Sequence, residues 1–191
     1  DRPESPAANG NMGTMILDAT CSPSNIRFPQ DFSLLNEARV KLDAMIDKLH
    51  ETASGKRRPR TYRKVLRKKC LAHAKSRKRT AKQTRSIIRV MLCAVKRNMA
   101  FVDGFLEKGG FLEDRDMELL ATIRRLYAQQ KEMFDEKKHR VAERIVSVTQ
   151  PYVRPVVRGK VKDPVEFGAK YDVSVDERGH ARLEHVDFEP Y

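Results

Sequence analysis

The residue with the clearest potential for chemistry is an aspartate at the end of a short apolar segment. In MILDATCSPSN, residues 15–25, three apolar residues lead to Asp18, and small residues and a Cys-Ser-Pro loop follow. A carboxylate on a rigid strand end suits Mg²⁺, which takes hard oxygen ligands and serves two-metal phosphoryl transfer. The same pattern is also that of a turn residue after a strand. The sequence alone leaves both interpretations of Asp18 open.

The strongest charge signal is a basic block, residues 52–102, which contains no Asp or Glu but 18 of the 39 Lys and Arg residues. The net charge of +13 favours an anionic partner, either nucleic acid or an anionic surface. Like charges this close repel, so the block predicts contact with a phosphate backbone; a solvated helix surface and a nuclear-targeting signal are the other interpretations. The predicted DNA-binding residues are Lys56, Arg57, Arg58, Arg60, Arg63, Lys64, Arg67, Lys68, Lys69, Lys75, Arg77, Lys78, Arg79, Lys82, Arg85 and Arg89.

Other chemical signals are weaker. Cys70 and His73 form a C-x-x-H pair, but a zinc site needs four ligands and no second pair lies nearby. Tyr62 stands alone among the densest basic residues, so base-stacking platforms are not evident. The three cysteines are widely spaced, which favours reduced thiols in the cytoplasm. No apolar run approaches the roughly 18 residues of a membrane helix, so we expect no membrane partner.

The elements that must position these residues follow from periodicity. We expect a strand over residues 13–20 and four helices, the second over about 61–77, the third over about 80–106 and the fourth from Asp114 or Asp116 to about Arg144. The second and third could be continuous. The apolar seam of the first helix, which ends near residues 54–55, consists of Leu35, Ala38, Leu42, Met45 and Leu49. Such helices, joined by short turns, indicate an antiparallel bundle or hairpin and a possible homo-oligomer.

The pattern changes after Gln150. Residues 151–160 contain two prolines and are not helical, whereas two alternating segments over about 165–188 predict a β-hairpin with its turn at Arg178 and Gly179. Gly168, a lone glycine within the first of these segments, predicts a bulge. The fold class is therefore α+β, with strands at both ends of the chain around a helical insertion. The predicted segments are a flexible lead-in at 1–12, strand and loop at 13–30, basic helices at 31–150 and a hairpin at 151–191.

Two segments resemble a known family. ILDATCSPSNIRFPQDFSLLNEAR resembles the region around the first catalytic aspartate of DDE-type bacterial insertion-sequence transposases, and RGKVKDPVEFGAKYDVSV resembles a later segment of the same proteins. The resemblance extends over residues 12–191. It implies an RNase H-like core interrupted by a helical insertion, Mg²⁺-dependent cleavage and transfer of double-stranded DNA, and a cytoplasmic, nucleoid-associated protein.

The resemblance also implies roles for single residues. Asp18 matches the first acid of the Asp-Asp-Glu triad and would bind Mg²⁺, whereas Glu166 and Lys170 match a motif for which we expect core support or DNA contact. The second Asp and the final Glu have no counterpart, so we expect the carboxyl-terminal remainder of the catalytic domain to be absent and this chain alone to be inactive. The alternatives are a stand-alone basic helical nucleic-acid-binding protein without catalysis and a structural oligomerisation module.

Overall fold

The structure, a computed structural model, describes residues 16–52, 57–157, 165–175 and 179–188, without the side chains of residues 16–21 and 52. It is an α+β structure with four helices and a small antiparallel sheet. The chain divides into two compact units. One unit is helical and extends over residues 25–154, and the other joins the described residues up to Ser24 with those from Pro155 onward.

The helical unit contains α1 (Asp31–Thr52), α2 (Arg63–Lys75), α3 (Ala81–Leu106) and α4 (Asp114–Glu136). Contacts near both ends of neighbouring helices show that successive helices alternate in direction, as in an up-down-up-down bundle. These contacts are Asp47–Arg63 and Phe32–His73 between α1 and α2, Asp31–Gln130 and Lys48–Asp116 between α1 and α4, and Asp103–Arg124 and Arg85–Phe134 between α3 and α4.

The core of the bundle lies along the apolar seam of α1. All five residues predicted for this seam are buried, and Leu35, Leu42 and Leu49 have no exposed surface. Apolar residues at steps of three and four lie on one side of a helix. This side of α1 packs into the bundle, and α1 contacts all three other helices. The seam is therefore the central element of the unit.

The turns between helices have clear local causes. Helices α2 and α3 are separate, because Thr80 caps α3 in a reciprocal capping box with Gln83. Between α3 and α4, Gly109 has φ +85°, a conformation that favours glycine. A side chain at Gly110 would place its Cβ 2.8 Å from the Phe105 carbonyl oxygen, so this turn also requires a glycine at that position.

Helix α4 ends earlier than the sequence predicted. It stops at Glu136 rather than near Arg144, because Lys137 adopts a left-handed conformation with φ 55° and donates its backbone N–H to Met133. The following segment folds back instead, and the Gln129 side chain accepts a hydrogen bond from the Ile145 backbone at 3.0 Å. Because no glycine marks this end, the prediction relied on periodicity alone and placed the end of the helix too late.

The second unit is a sheet of four strands: β1 (Ile16–Pro23), β2 (Arg154–Val157), β3 (Val165–Val175) and β4 (Ala181–Asp187). β3 is the central strand; β1 and β4 both pair with it in antiparallel register, and β2 also lies beside it. The predicted hairpin is confirmed, although residue 178 of its turn lies outside the described residues. β2 was not predicted, because it has only four residues and one of them is Pro155, a residue that argues against a strand.

Gly168 marks the closest approach between β1 and β3. It lies opposite Pro23, and a Cβ added to it would be 2.0 Å from the Ser22 carbonyl oxygen. Close backbone approach therefore explains this glycine. The bulge predicted here is wrong in position, since the register shift of β3 falls between Asp172 and Val173, on the side that pairs with β4.

Candidate nucleic-acid interface

Helix α2 separates an apolar face from a basic face. Leu66 and Cys70 are buried against the bundle, whereas Lys64, Lys68 and Lys75 are exposed. At 100° per residue, these lysines lie opposite the buried pair, and Arg67 extends their face on one side. We call Lys64, Arg67, Lys68 and Lys75 the outer α2 face.

Helix α3 is arranged in the same way. Met91, Val95 and Val102 are buried, and the opposite side carries Lys82, Arg89 and Lys96, all exposed. We call these three residues the outer α3 face. No Asp or Glu occurs in α3 between Lys82 and Lys96, so no acidic side chain of this helix interrupts the face.

Two arginines of the basic block, Arg58 and Arg63, bind acids of α1 while their side chains stay partly exposed. Arg63 donates to both carboxylate oxygens of Asp47, at 2.9 and 3.0 Å, and Arg58 pairs with the same carboxylate. One turn earlier on α1, Asp43 is buried against Arg39 at 2.5 Å and accepts a hydrogen bond from Asn98 at 2.9 Å. Asp43 and Asp47 are the acids that pair with the block within the described part of the chain.

The two acids respond differently to their surroundings. Burial raises the pKa of Asp43, although Arg39 and Arg63 oppose the shift. The pKa of Asp47 is lowered, because hydrogen bonds and charge from Arg63 and Arg58 outweigh its partial burial. Asp43 is thus a buried carboxylate with a structural role, and Asp47 is a partly exposed carboxylate that pairs with Arg58 and Arg63.

Most predicted DNA-binding residues are exposed, and no ion pair joins them to other described residues. Lys56 lies outside the described residues, Arg79 donates to the backbone oxygens of Ala74 and Ser76, and Arg85 lies 4.0 Å above the Phe134 ring. Apart from Arg79 and Arg85, the exposed predicted residues without an ion pair within the described chain are Arg57, Arg60, Lys64, Arg67, Lys68, Lys69, Lys75, Arg77, Lys78, Lys82 and Arg89.

Sequence reasoning missed two structural arginines and one basic cluster. Arg39 is 2% exposed, and Arg97 donates to the Thr61 carbonyl oxygen at 2.8 Å while it lies over the Tyr62 ring. The cluster, Lys137 and Lys138 after α4, meets the start of α3 across a groove. Its members lie far along the chain from the basic block, so only the alternating helix directions bring the two together.

The C-x-x-H pair lies in the bundle wall. Cys70 is 7% exposed, and burial raises the pKa of its thiol. The His73 ring packs edge-on against Phe32 with 4.8 Å between centroids, and burial lowers its pKa. These contacts give both residues a packing role.

The residues singled out by the family resemblance lie in the sheet. The Asp18 backbone pairs with Val173, while its side chain lies outside the description. Lys170 is only 8% exposed, which fits core support better than DNA contact, and Glu166 is half-buried. No group of three or more His, Cys, Asp or Glu residues that could hold a metal occurs among the described residues.

Comparison of the chain with models of protein families, with curated proteins and with solved structures gave no match. In the described ranges, no helix combines the length and apolar character needed to cross a membrane.

Proposed function

We propose that this chain binds double-stranded DNA through the outer α2 and outer α3 faces, as part of a DDE-type insertion-sequence transposase. The observation that carries the DNA-binding proposal is the distribution of acids around the basic block. The acids that pair with it in the described chain, Asp43 and Asp47, are on α1 and pair with Arg58 and Arg63, which belong to neither outer face. The outward cations therefore keep their charge available for a polyanion.

The chemistry of these faces fits phosphate contact without base readout. Lysines dominate the outer α2 face, and lysine contacts phosphate as a point charge. Each phosphate neutralised releases condensed counterions, so log K falls with log salt by about 0.9 per contact on duplex DNA. We therefore expect affinity that is steeply salt-dependent and nearly independent of sequence.

The experiment is a salt titration of binding to a labelled duplex. A variant with Lys64, Arg67, Lys68 and Lys75 changed to Ala should lose at least about tenfold in affinity and about three to four units of salt slope. The control removes the same charge from exposed residues elsewhere in the bundle: Lys108, Arg115, Arg125 and Lys131 changed to Ala. Equal losses in the two variants would show that only net charge matters and would contradict the proposal.

The transposase part of the proposal rests on the sequence resemblance and agrees with the strand order. Antiparallel pairing of β1 with β3 and of β3 with β4 is the pairing that a meander at the start of an RNase H-like core requires. In the complete enzyme Asp18 would contribute one carboxylate to Mg²⁺ binding.

The proposal has a direct catalytic test. With Mg²⁺ and supercoiled DNA, this chain alone should produce no nicks above background, and Asp18→Ala should leave its duplex binding unchanged. Mg²⁺-dependent nicking that is lost on Asp18→Ala would contradict this expectation. It would also show that the metal site is complete within these 191 residues.

A further inference from the structure

We infer that the groove at one end of the helical bundle binds an unpaired nucleotide, such as one in a single-stranded overhang of the bound DNA. The inference rests on the proposed DNA-binding function and assigns a second contact to it. The groove has a volume of about 660 Å³, within the roughly 300–1,000 Å³ range of ligand pockets. It is formed where the start of α3 meets the end of α4 and the start of α1.

The rim of the groove is cationic. Arg79 and Arg85 contribute from the α3 side, and Lys137 and Lys138 from the α4 side. The acid in the lining is Asp31, whose carboxylate already accepts bonds from Arg144 at 2.6 Å and from Gln130 at 3.0 Å. Lys138 pairs with Glu136, whereas Arg79, Arg85 and Lys137 have no ion pair among the described residues. Three of the four rim cations therefore keep uncompensated charge, which suits a phosphate group.

The floor of the groove is apolar and aromatic. Ile88, Met133 and Phe134 line it, and the Arg85 guanidinium lies 4.0 Å above the Phe134 ring. Proteins that bind single strands combine cations for the backbone with aromatic rings or arginine planes on which bases stack. A paired base within a duplex cannot reach such a floor, whereas an unpaired base can. Together, rim and floor match the two chemical parts of one unpaired nucleotide.

The test compares two DNA probes, a blunt duplex and the same duplex with a short single-stranded overhang. The intact protein should bind the overhang probe about tenfold more tightly, as expected for one stacked base. The rim variant combines Lys137→Gly, chosen because residue 137 has φ 55°, with Lys138→Ala, and should reduce the preference to about one. Phe134→Leu should reduce it by an intermediate amount.

The matched control is Arg125→Ala with Lys131→Ala, which removes the same charge from exposed positions of α4 and should keep the preference. The absence of an overhang preference in the intact protein, or its survival in the rim variant, would overturn the inference. In either case, steep salt-dependent binding to the blunt duplex would leave the proposed DNA-binding function standing. Failure of the intact protein to bind the blunt duplex would instead contradict the DNA-binding function itself.

Discussion

The basic block has an inner side, where cations pair with acids of α1, and an outer side, where cations are exposed to solvent. On the inner side, Arg63 shares the Asp47 carboxylate with Arg58, and the neighbouring Arg39 is buried with Asp43. On the outer side, Lys64 and Lys68 are exposed and have no ion pair within the described chain. A buried cation without an acid would destabilise the fold, whereas an exposed one costs little. Charge is thus structural on one side and available for binding on the other.

The largest difference between the two sides should appear in stability when the buried acid is removed. Asp43→Ala leaves Arg39, which is 2% exposed, without its carboxylate and takes a hydrogen-bond acceptor from Asn98. Breaking a buried pair in this way costs about 3–5 kcal/mol of unfolding free energy. Chemical denaturation will measure this loss.

Asp135→Ala provides the control for that measurement. Asp135 pairs with Lys131 at an exposed site, so its removal should cost less than about 1 kcal/mol. Similar losses for the two variants would mean that the inner pair is not structural.

A smaller effect should depend on pH. Asp47 has a lowered pKa in the folded chain, so its ionised form favours folding. Its contribution is complete above the unfolded pKa of about 3.9 and is lost as pH falls through the lower, folded pKa. Asp47→Ala should therefore cost up to about 1 kcal/mol at pH 7 and progressively less on acidification below about pH 4. A stability difference that stays constant from pH 7 to pH 2 would contradict this account.

The smallest effect on stability is expected on the outer side. Changing Lys64, Arg67, Lys68 and Lys75 to Ala should alter the unfolding free energy by no more than about 0.5 kcal/mol, since these residues have no ion pairs in the described chain. At low salt the variant should be slightly more stable, because like charges are removed. Thermal melting at low and high salt will measure both values, and a loss above about 2 kcal/mol would give these residues a structural role.

Sequence periodicity anticipated the helices but not the division of charge. The α1 seam from Leu35 to Leu49 was predictable, because core packing alone sets its spacing. The inward turn of Arg63 depends on Asp47, an acid on another helix. The grouping of Lys137 with the start of α3 depends on the direction of α4. The early end of α4 depends on Lys137, which is left-handed although it is not a glycine. Such contacts between distant residues have no local signal.

Lysine footprinting by acetylation, read by mass spectrometry with and without duplex DNA, tests the comparison most directly. We predict that DNA protects Lys64, Lys68, Lys75 and Lys82 from acetylation, whereas Lys131, exposed on α4, reacts equally in both samples. Equal reactivity of the outer lysines with and without DNA, under conditions where DNA is bound, would contradict the assignment of the outer α2 and outer α3 faces as the DNA-binding surface.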